Sequence, residues 1–201
     1  MLAHDDDDED GDGDTPPSAV VDEDTFEDDV EILNYALTLE FLEAEFYDRA
    51  LDNLDESDLL AVSPVEDLDA ENRDRIVDDL EIIRDQEETH AETLESVVED
   101  LGEDPVAEPD FEFGSAVTDA EEFLATAAVL EDTGVAAYAG AAPAIEDPDL
   151  VPPALSIHSV EGRHASFVRT VGGEVGFPAA FDQPLPPETV RERAAQFIAD
   201  D

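Results

Sequence analysis

The sequence predicts an all-α fold, a four-helix bundle with a long crossover between its second and third helices. Four segments carry apolar residues three and four positions apart, which is the spacing of one buried helical face. Glycines typical of helix ends follow the second segment, at Gly102, and the fourth, at Gly172 and Gly173. No segment alternates apolar and polar residues as a half-buried strand does. These observations favour a helical bundle over any fold built on a sheet.

The first predicted helix runs from about Phe26 to Leu54, and a polar loop that contains Ser63 and Pro64 follows it. The second helix runs from about Leu68 to Leu101. The connection over residues 102–117 contains Pro105 and Pro109 and is long enough to cross the length of a bundle.

The third predicted helix begins with a capping-box spacing, Thr118 to Glu121, and runs to about Ala142. Asp147 and Pro148 predict the start of the fourth helix, as N-cap and first helical residue. This helix ends at the glycine pair 172–173.

Composition predicts the remaining divisions of the chain. Residues 1–24 read as a disordered acidic tail, because the run 5–14 is almost wholly Asp, Glu and Gly and has nothing to bury. Residues 25–172 form the predicted bundle. Residues 173–201 are a C-terminal extension that we expect to pack on the bundle, with a short helix from about Pro187 to Ala199.

The chain is extremely acidic: 58 Asp and Glu stand against 8 basic residues, giving a formal net charge of -50. Such self-repulsion destabilises a compact state at low salt, and a Debye length of roughly 3 Å in molar salt removes most of it. The charge therefore indicates adaptation to multimolar salt, as in halophiles. It also argues against nucleic acid and anionic membranes as partners.

The chain has no cysteine, which excludes disulfides, thiolate metal sites and a rubredoxin-type iron centre. No apolar run reaches the length of a signal peptide or of a membrane-spanning helix. We therefore expect a cytoplasmic protein, with an exported form as the alternative.

Six polar residues interrupt the apolar faces of the four helices, where an unpaired charge would cost several kcal/mol. They are Glu40, Glu87, His90, Glu131, Glu161 and His164. Two of the helices thus carry Glu-x-x-His, whose side chains share one helical face, and the other two carry one Glu each. This arrangement is that of the di-iron carboxylate bundles. Four carboxylates match the charge of two divalent ions, and oxygen with imidazole ligation favours two iron ions, with manganese or a mixed pair as the alternative.

The sequence repeats around these positions. Tyr47 follows Glu40 by seven residues, and Tyr138 follows Glu131 by seven. We therefore expect two half-sites related by a pseudo-two-fold axis. Tyr47 and Tyr138 are interpreted either as packing residues or as redox participants in catalysis.

Other residues have weaker signals. Glu43, one turn from Glu40, is either an extra ligand or part of a solvated flank, and His158 is expected in an outer position rather than as a ligand. His4 lies in the tail. In so acidic a chain, chance is the competing explanation of the Glu-x-x-His pairs, but the common helical register and the repeat favour a metal site.

Several stretches of the sequence resemble one known family. They are Asn34–Tyr47, Phe123–Ala142, Ser159–His164 and Pro178–Leu185. Together these resemble the ferritin-like domain of desiccation- and stress-related proteins, in a haloarchaeal-type member. The resemblance covers roughly residues 26–200 and implies a ferritin-like four-helix bundle. It also places the six Glu and His residues on the di-iron ligand positions of the wider superfamily.

The sequence leads to two functional hypotheses. The first is a di-iron oxidoreductase of ferroxidase or peroxidase type that oxidises Fe²⁺ or reduces dioxygen or peroxide in stress protection. Glu87 and Glu161 would bridge the metals, and its partners would be metal ions, a small oxidant and an external electron donor. The second is a non-enzymatic desiccation or stress protein with a structural or vestigial metal site. A homo-oligomer is compatible with either, and a carrier that uses a gap in the bundle core is a third alternative.

Overall fold

The computed structural model describes residues 15–21, 25–63, 65 and 70–199, and in these residues the chain is a helical bundle. The long helices are α1 (Asp29–Asn53), α3 (Ala70–Asp100), α4 (Ala120–Ala141) and α5 (Val151–Val171), and the short ones are α2 (Glu56–Leu59) and α6 (Pro187–Ala194). The described residues contain no β-strand, only an isolated antiparallel bridge between Phe111 and Ile198. The predicted all-α four-helix bundle is confirmed, and α2 adds a short helix to the predicted polar loop.

The four long helices associate as two pairs. α1 packs along α3, and α4 packs along α5, while α1 with α4 and α3 with α5 make the smaller contacts between the pairs. We call α1 and α3 the first half and α4 and α5 the second half. Aromatic rings join the two halves at one end of the core, where Phe46 stacks on Phe123 with ring centroids 5.4 Å apart. The bundle interior is thus formed by faces from all four long helices.

The long crossover between the halves runs along α1. The backbone N–H of Val106 donates to the Asn34 side chain, near the start of α1. Five residues later the carbonyl of Phe111 accepts from Arg49, near the end of α1. Those two positions on α1 lie about 22 Å apart at the ~1.5 Å rise of an α-helix. The crossover therefore spans much of the bundle length, as predicted.

α4 begins one residue later than predicted. Asp119 rather than Thr118 is its N-cap, because the Asp119 side chain accepts hydrogen bonds from the backbone N–H groups of Glu121 and Glu122. One oxygen of this carboxylate satisfies two of the free amide groups of the first turn, whereas the Thr118 hydroxyl donates to the Ser115 carbonyl (3.3 Å).

α5 begins at Val151, and the predicted start at Asp147 and Pro148 is wrong. Those residues form a turn instead, closed by a hydrogen bond from the Leu150 N–H to the Asp147 carbonyl (3.0 Å). Two prolines follow Val151 and have no N–H to donate. The Ala154 N–H, which donates to the Leu150 carbonyl (3.2 Å), comes directly after them.

The C-terminal extension lies against the second half. The Leu185 N–H donates to the carbonyl of Ala136 in α4 (3.2 Å), and Val190 of α6 is fully buried. α6 ends earlier than the predicted Ala199, because residues 195–197 form a turn and Ile198 pairs with Phe111. Within the predicted tail, residues 15–21 also contact the bundle, since Val21 packs against the core. Residues 1–14, with His4, and 22–24 lie outside the described residues.

Among the described residues, no helix combines the length and the apolar character that crossing a membrane requires.

Candidate metal centre

The structure brings the six predicted Glu and His residues together in the middle of the bundle. All four glutamates have no exposed surface, and His90 and His164 are 8% and 4% exposed. Their possible ligand atoms form two groups, in each of which all atoms lie within 4.8 Å of one another. One group is Glu40, Glu87, His90 and Glu161, and the other is Glu87, Glu131, Glu161 and His164. Each group has its own histidine and its own glutamate, and the groups share Glu87 and Glu161.

Both imidazole rings point Nδ1 at the carboxylates. His90 Nδ1 lies 3.2 Å from an oxygen of each of Glu40, Glu87 and Glu161. His164 Nδ1 lies 2.6 Å from Glu87 Oε1 and 3.5 Å from Glu131 Oε2. The two rings stand side by side, with centroids 6.3 Å apart and planes inclined by 25°. Each imidazole ring therefore belongs to a different one of the two groups of ligand atoms.

Several atoms of the cluster are buried without a hydrogen-bond partner. They are Glu87 Oε1, Glu131 Oε2, both oxygens of Glu161 and His164 Nδ1. The contact between His164 Nδ1 and Glu87 Oε1 is short, yet its angles are not those of a hydrogen bond. Atoms that converge on a common cation have this arrangement, and an unsatisfied buried polar group otherwise costs about 1–3 kcal/mol. The donor set of carboxylate oxygen and imidazole nitrogen fits iron or manganese.

Burial governs the protonation of three of the four glutamates. Burial raises the pKa of Glu40 to about 7, although hydrogen bonding to His90 opposes the shift. Burial likewise raises the pKa of Glu131 to about 7, against the effect of His164. For Glu161, burial and then the negative charge of Glu87 raise the pKa well above its ordinary value.

For Glu87 and the two histidines, contacts within the cluster outweigh the effect of burial on the pKa. Burial raises the pKa of Glu87, but the close contacts with the imidazole rings of His164 and His90 outweigh it and lower the pKa to about 2. Burial lowers the pKa of His90 and of His164, and their carboxylate neighbours overcome it, giving about 12 and about 10. In the metal-free protein the imidazole rings of His90 and His164 are therefore protonated and carry the positive charge of the cluster. Metal ions would have to displace these protons in order to bind.

Tyr47 and Tyr138 each reach across to the other half of the bundle. The Tyr47 hydroxyl donates to Glu131 Oε1 (2.6 Å), and the Tyr138 hydroxyl donates to Glu40 Oε1 (2.5 Å). Burial, with the nearby carboxylates, raises the pKa of both phenols well above 10, so both remain donors. The tyrosines thus hold Glu131 and Glu40 in place, and these are the two glutamates that the groups do not share. A redox role for them stays a prediction.

Gln86 is a neighbour of the cluster that was not predicted from the sequence. Its Oε1 lies 2.7 Å from His164 Nε2. Because an amide oxygen only accepts, Nε2 carries the proton and Nδ1 faces the cluster. The sequence signal was weak, since Gln86 only precedes Glu87 and nothing marks its contact with α5.

Glu43 is buried, with 2% of its surface exposed, so the alternative of a solvated flank is wrong. It lies beside the cluster but belongs to neither group of ligand atoms. His158 is also outside both groups, and burial lowers its pKa. This agrees with the outer position expected for His158.

Two cavities are lined by residues next to the cluster, though by none of its six Glu and His residues. One, of about 50 Å³, is almost entirely apolar and is lined by Leu39, Leu94 and Tyr138 among others. The other, of about 230 Å³, lies between α1, α4 and the C-terminal segment and is lined by Glu43 and Arg193 among others. Small molecules therefore have space next to Tyr138 and next to Glu43.

The sequence model of the ferritin-like domain family matches residues 28–174. The matched segment contains all four long helices and every residue of the two ligand groups. A comparison with curated proteins gives no significant match.

Proposed function

The chain belongs to the ferritin-like domain family, and we propose that its buried cluster binds two iron ions for the oxidation of Fe²⁺ by dioxygen or peroxide. The two shared glutamates carry this proposal. Since Glu87 and Glu161 belong to both groups, they suit bridging positions between two ions. Glu40 and His90 would complete the coordination of one ion, and Glu131 and His164 would complete that of the other.

The charges of the cluster support two divalent ions. Four ionised glutamates carry four negative charges, and two divalent cations neutralise them without any proton. His90 and His164 must give up their Nδ1 protons on binding, so we expect metal uptake to release protons. Manganese or a mixed pair would satisfy the same ligands.

When bound, two Fe²⁺ ions supply two electrons, which with two protons reduce hydrogen peroxide to two waters or dioxygen to hydrogen peroxide. The protein residues prepare the site for this chemistry. Tyr47 and Tyr138 hold Glu131 and Glu40 in place, and the bundle keeps the carboxylates out of bulk water. If the two ions stay bound between turnovers, an electron donor must reduce them again, and a rubredoxin-type centre within this sequence cannot supply the electrons because the sequence has no cysteine.

Metal analysis followed by stopped-flow oxidation of added Fe²⁺, in multimolar KCl to screen the charge of -50, tests the proposal. We expect two metal ions per chain and rapid oxidation by the wild type. Glu87→Ala should abolish oxidation, and His90→Ala should reduce it at least ~100-fold, because each removes a ligand. Glu81→Ala, which removes an exposed carboxylate from the same helix, is the matched control.

Two results would overturn the proposal: less than one metal ion per chain, or oxidation by Glu87→Ala at the wild-type rate. If metal binds and raises the melting temperature but Fe²⁺ is not oxidised, the structural-metal alternative replaces it. A role in stress protection and an assembly of identical chains stay predictions.

A further inference from the structure

We propose that Glu43 is an additional carboxylate ligand, which joins the metal pair on the side of Glu161 and makes the site asymmetric. This inference rests on the proposed binding of two metal ions. It assigns to Glu43 a position that neither the six-residue pattern nor the two ligand groups contain.

The first support comes from the sequence register. Glu43 follows Glu40 by three residues, and Gly134 follows Glu131 by three. The pseudo-two-fold repeat that relates Glu40 to Glu131 therefore also relates Glu43 to Gly134. At this pair of positions, one half of the bundle carries a glutamate and the other half carries no side chain at all.

The second support is that the two positions meet in space. A Cβ atom added to Gly134 would lie 3.1 Å from Glu43 Oε1 and 3.0 Å from Glu161 Oε2, which is tighter than ordinary van der Waals contact. The glycine therefore leaves the space between the Glu43 and Glu161 carboxylates open. Glycine inside a helix costs roughly 0.5–1 kcal/mol relative to alanine, so the open space has an energetic cost.

The third support is that Glu43 has no partner that explains its burial. Glu43 Oε2 is buried without a hydrogen bond. The charged groups that act on the carboxylate are other glutamates, Glu161 and Glu131 foremost. Arg193 lines the same cavity, but within the described residues its guanidinium donates to Thr133 and makes no ion pair with Glu43. A cation at the cluster would supply the missing partner.

The competing explanation is that Glu43 simply takes up a proton and faces water in the cavity of about 230 Å³. The neutral, isosteric substitution Glu43→Gln distinguishes the two explanations. A protonated glutamate has almost the charge and shape of glutamine, so metal binding would not change. A ligand would lose its charge, and metal binding would weaken.

Titration with Co²⁺, followed by calorimetry and by the visible spectrum of the bound ion, separates them without any turnover. In multimolar KCl we expect Glu43→Gln to weaken binding of at least one Co²⁺ by about tenfold or more. We also expect it to change the Co²⁺ spectrum, since the number of ligands changes. The metal-free variant should melt no lower than the wild type, because a buried carboxylate without a partner has been removed.

Gly134→Ala is the second variant, in which Glu43 itself is intact. Its methyl group would displace the Glu43 or the Glu161 carboxylate, so it too should weaken Co²⁺ binding and change the spectrum. Glu81→Gln, at an exposed position of α3, should leave both unchanged.

Wild-type affinity and spectrum in Glu43→Gln would overturn the role of Glu43 alone, because two-metal binding by the wild type would stand. Weaker binding in Gly134→Ala would then be attributed to displacement of Glu161. Binding of less than one Co²⁺ by the wild type would overturn both this inference and the proposed function.

Discussion

The two halves of the bundle contribute equivalent candidate ligands, but the residues around those candidate ligands differ. α1 and α4 each supply one glutamate with a tyrosine seven residues later, and α3 and α5 each supply Glu-x-x-His. Next to these ligands, the first half carries Glu43 and Gln86. The equivalent positions in the second half are Gly134 and Val160.

This difference makes the environments of the two histidines unequal. His164 is held on both sides, by the cluster at Nδ1 and by Gln86 at Nε2. For His90, no described residue hydrogen-bonds to Nε2, because Val160 stands where a second glutamine would be required. Its side chain is also more exposed, 10% against 5%. A repeated pattern thus determines which residues form the two groups of candidate ligands, while the positions beside the pattern make the two groups different.

The largest expected effect is on the number of metal ions bound, and it distinguishes glutamates that both groups share from glutamates that belong to one group. Glu161→Ala removes a residue common to both groups, so we expect it to eliminate binding of both Co²⁺ ions. Glu131→Ala removes a residue of one group only and should leave about one ion per chain. Equilibrium dialysis with Co²⁺ in multimolar KCl measures the stoichiometry.

Equal stoichiometry in Glu161→Ala and Glu131→Ala would contradict the assignment of shared and separate glutamates. Glu40→Ala provides the matched control from the first half, and should behave as Glu131→Ala does.

The sequence was sufficient to predict that the six Glu and His residues of the two groups meet in the core, because their positions depend on the period of a single helix. Glu87 and His90 lie one turn apart in the same register as the apolar residues of α3, so burial of that face brings both inward. The contact between Gln86 and His164 depends instead on how closely α3 approaches α5. The burial of Glu43 depends on space left by Gly134 in another helix. Periodicity within one segment contains no information about either distance.

The limits of the fold prediction have local causes. The start of α5 was misplaced because Asp147 and Pro148 have the chemistry of a helix start, although the chain forms a turn there. The two prolines after Val151 decide the actual start, since their missing N–H groups suit the first turn of a helix. The main helix lengths were predictable, because long apolar stripes and the glycines that follow them extend over many residues.

A smaller effect is expected at the contact between Gln86 and His164, which has no counterpart at His90. Gln86→Leu removes the group that orients His164, and loss of such a partner weakens metal binding by roughly 10–100-fold. The effect should be confined to one of the two ions, because His164 belongs to one group only. Calorimetric titration with Co²⁺ resolves the two binding steps.

Val160→Ala, at the equivalent position of α5, is the control, and it should leave both affinities nearly unchanged because Val160 offers His90 no hydrogen bond. If Gln86→Leu weakens both ions equally, the glutamine acts on the whole bundle rather than on one histidine.

The smallest effect should be found where the halves are most alike. Tyr47→Phe and Tyr138→Phe each remove one hydrogen bond, of 2.6 and 2.5 Å, to a glutamate of the opposite half. Each loss should be worth about 1 kcal/mol, or roughly fivefold in Co²⁺ affinity. Because the two contacts are equivalent, the variants should agree within about twofold. A clearly larger effect of either substitution would mean that the asymmetry at Glu43 and Gln86 extends to the tyrosines, and that one tyrosine does more than hold a carboxylate in place.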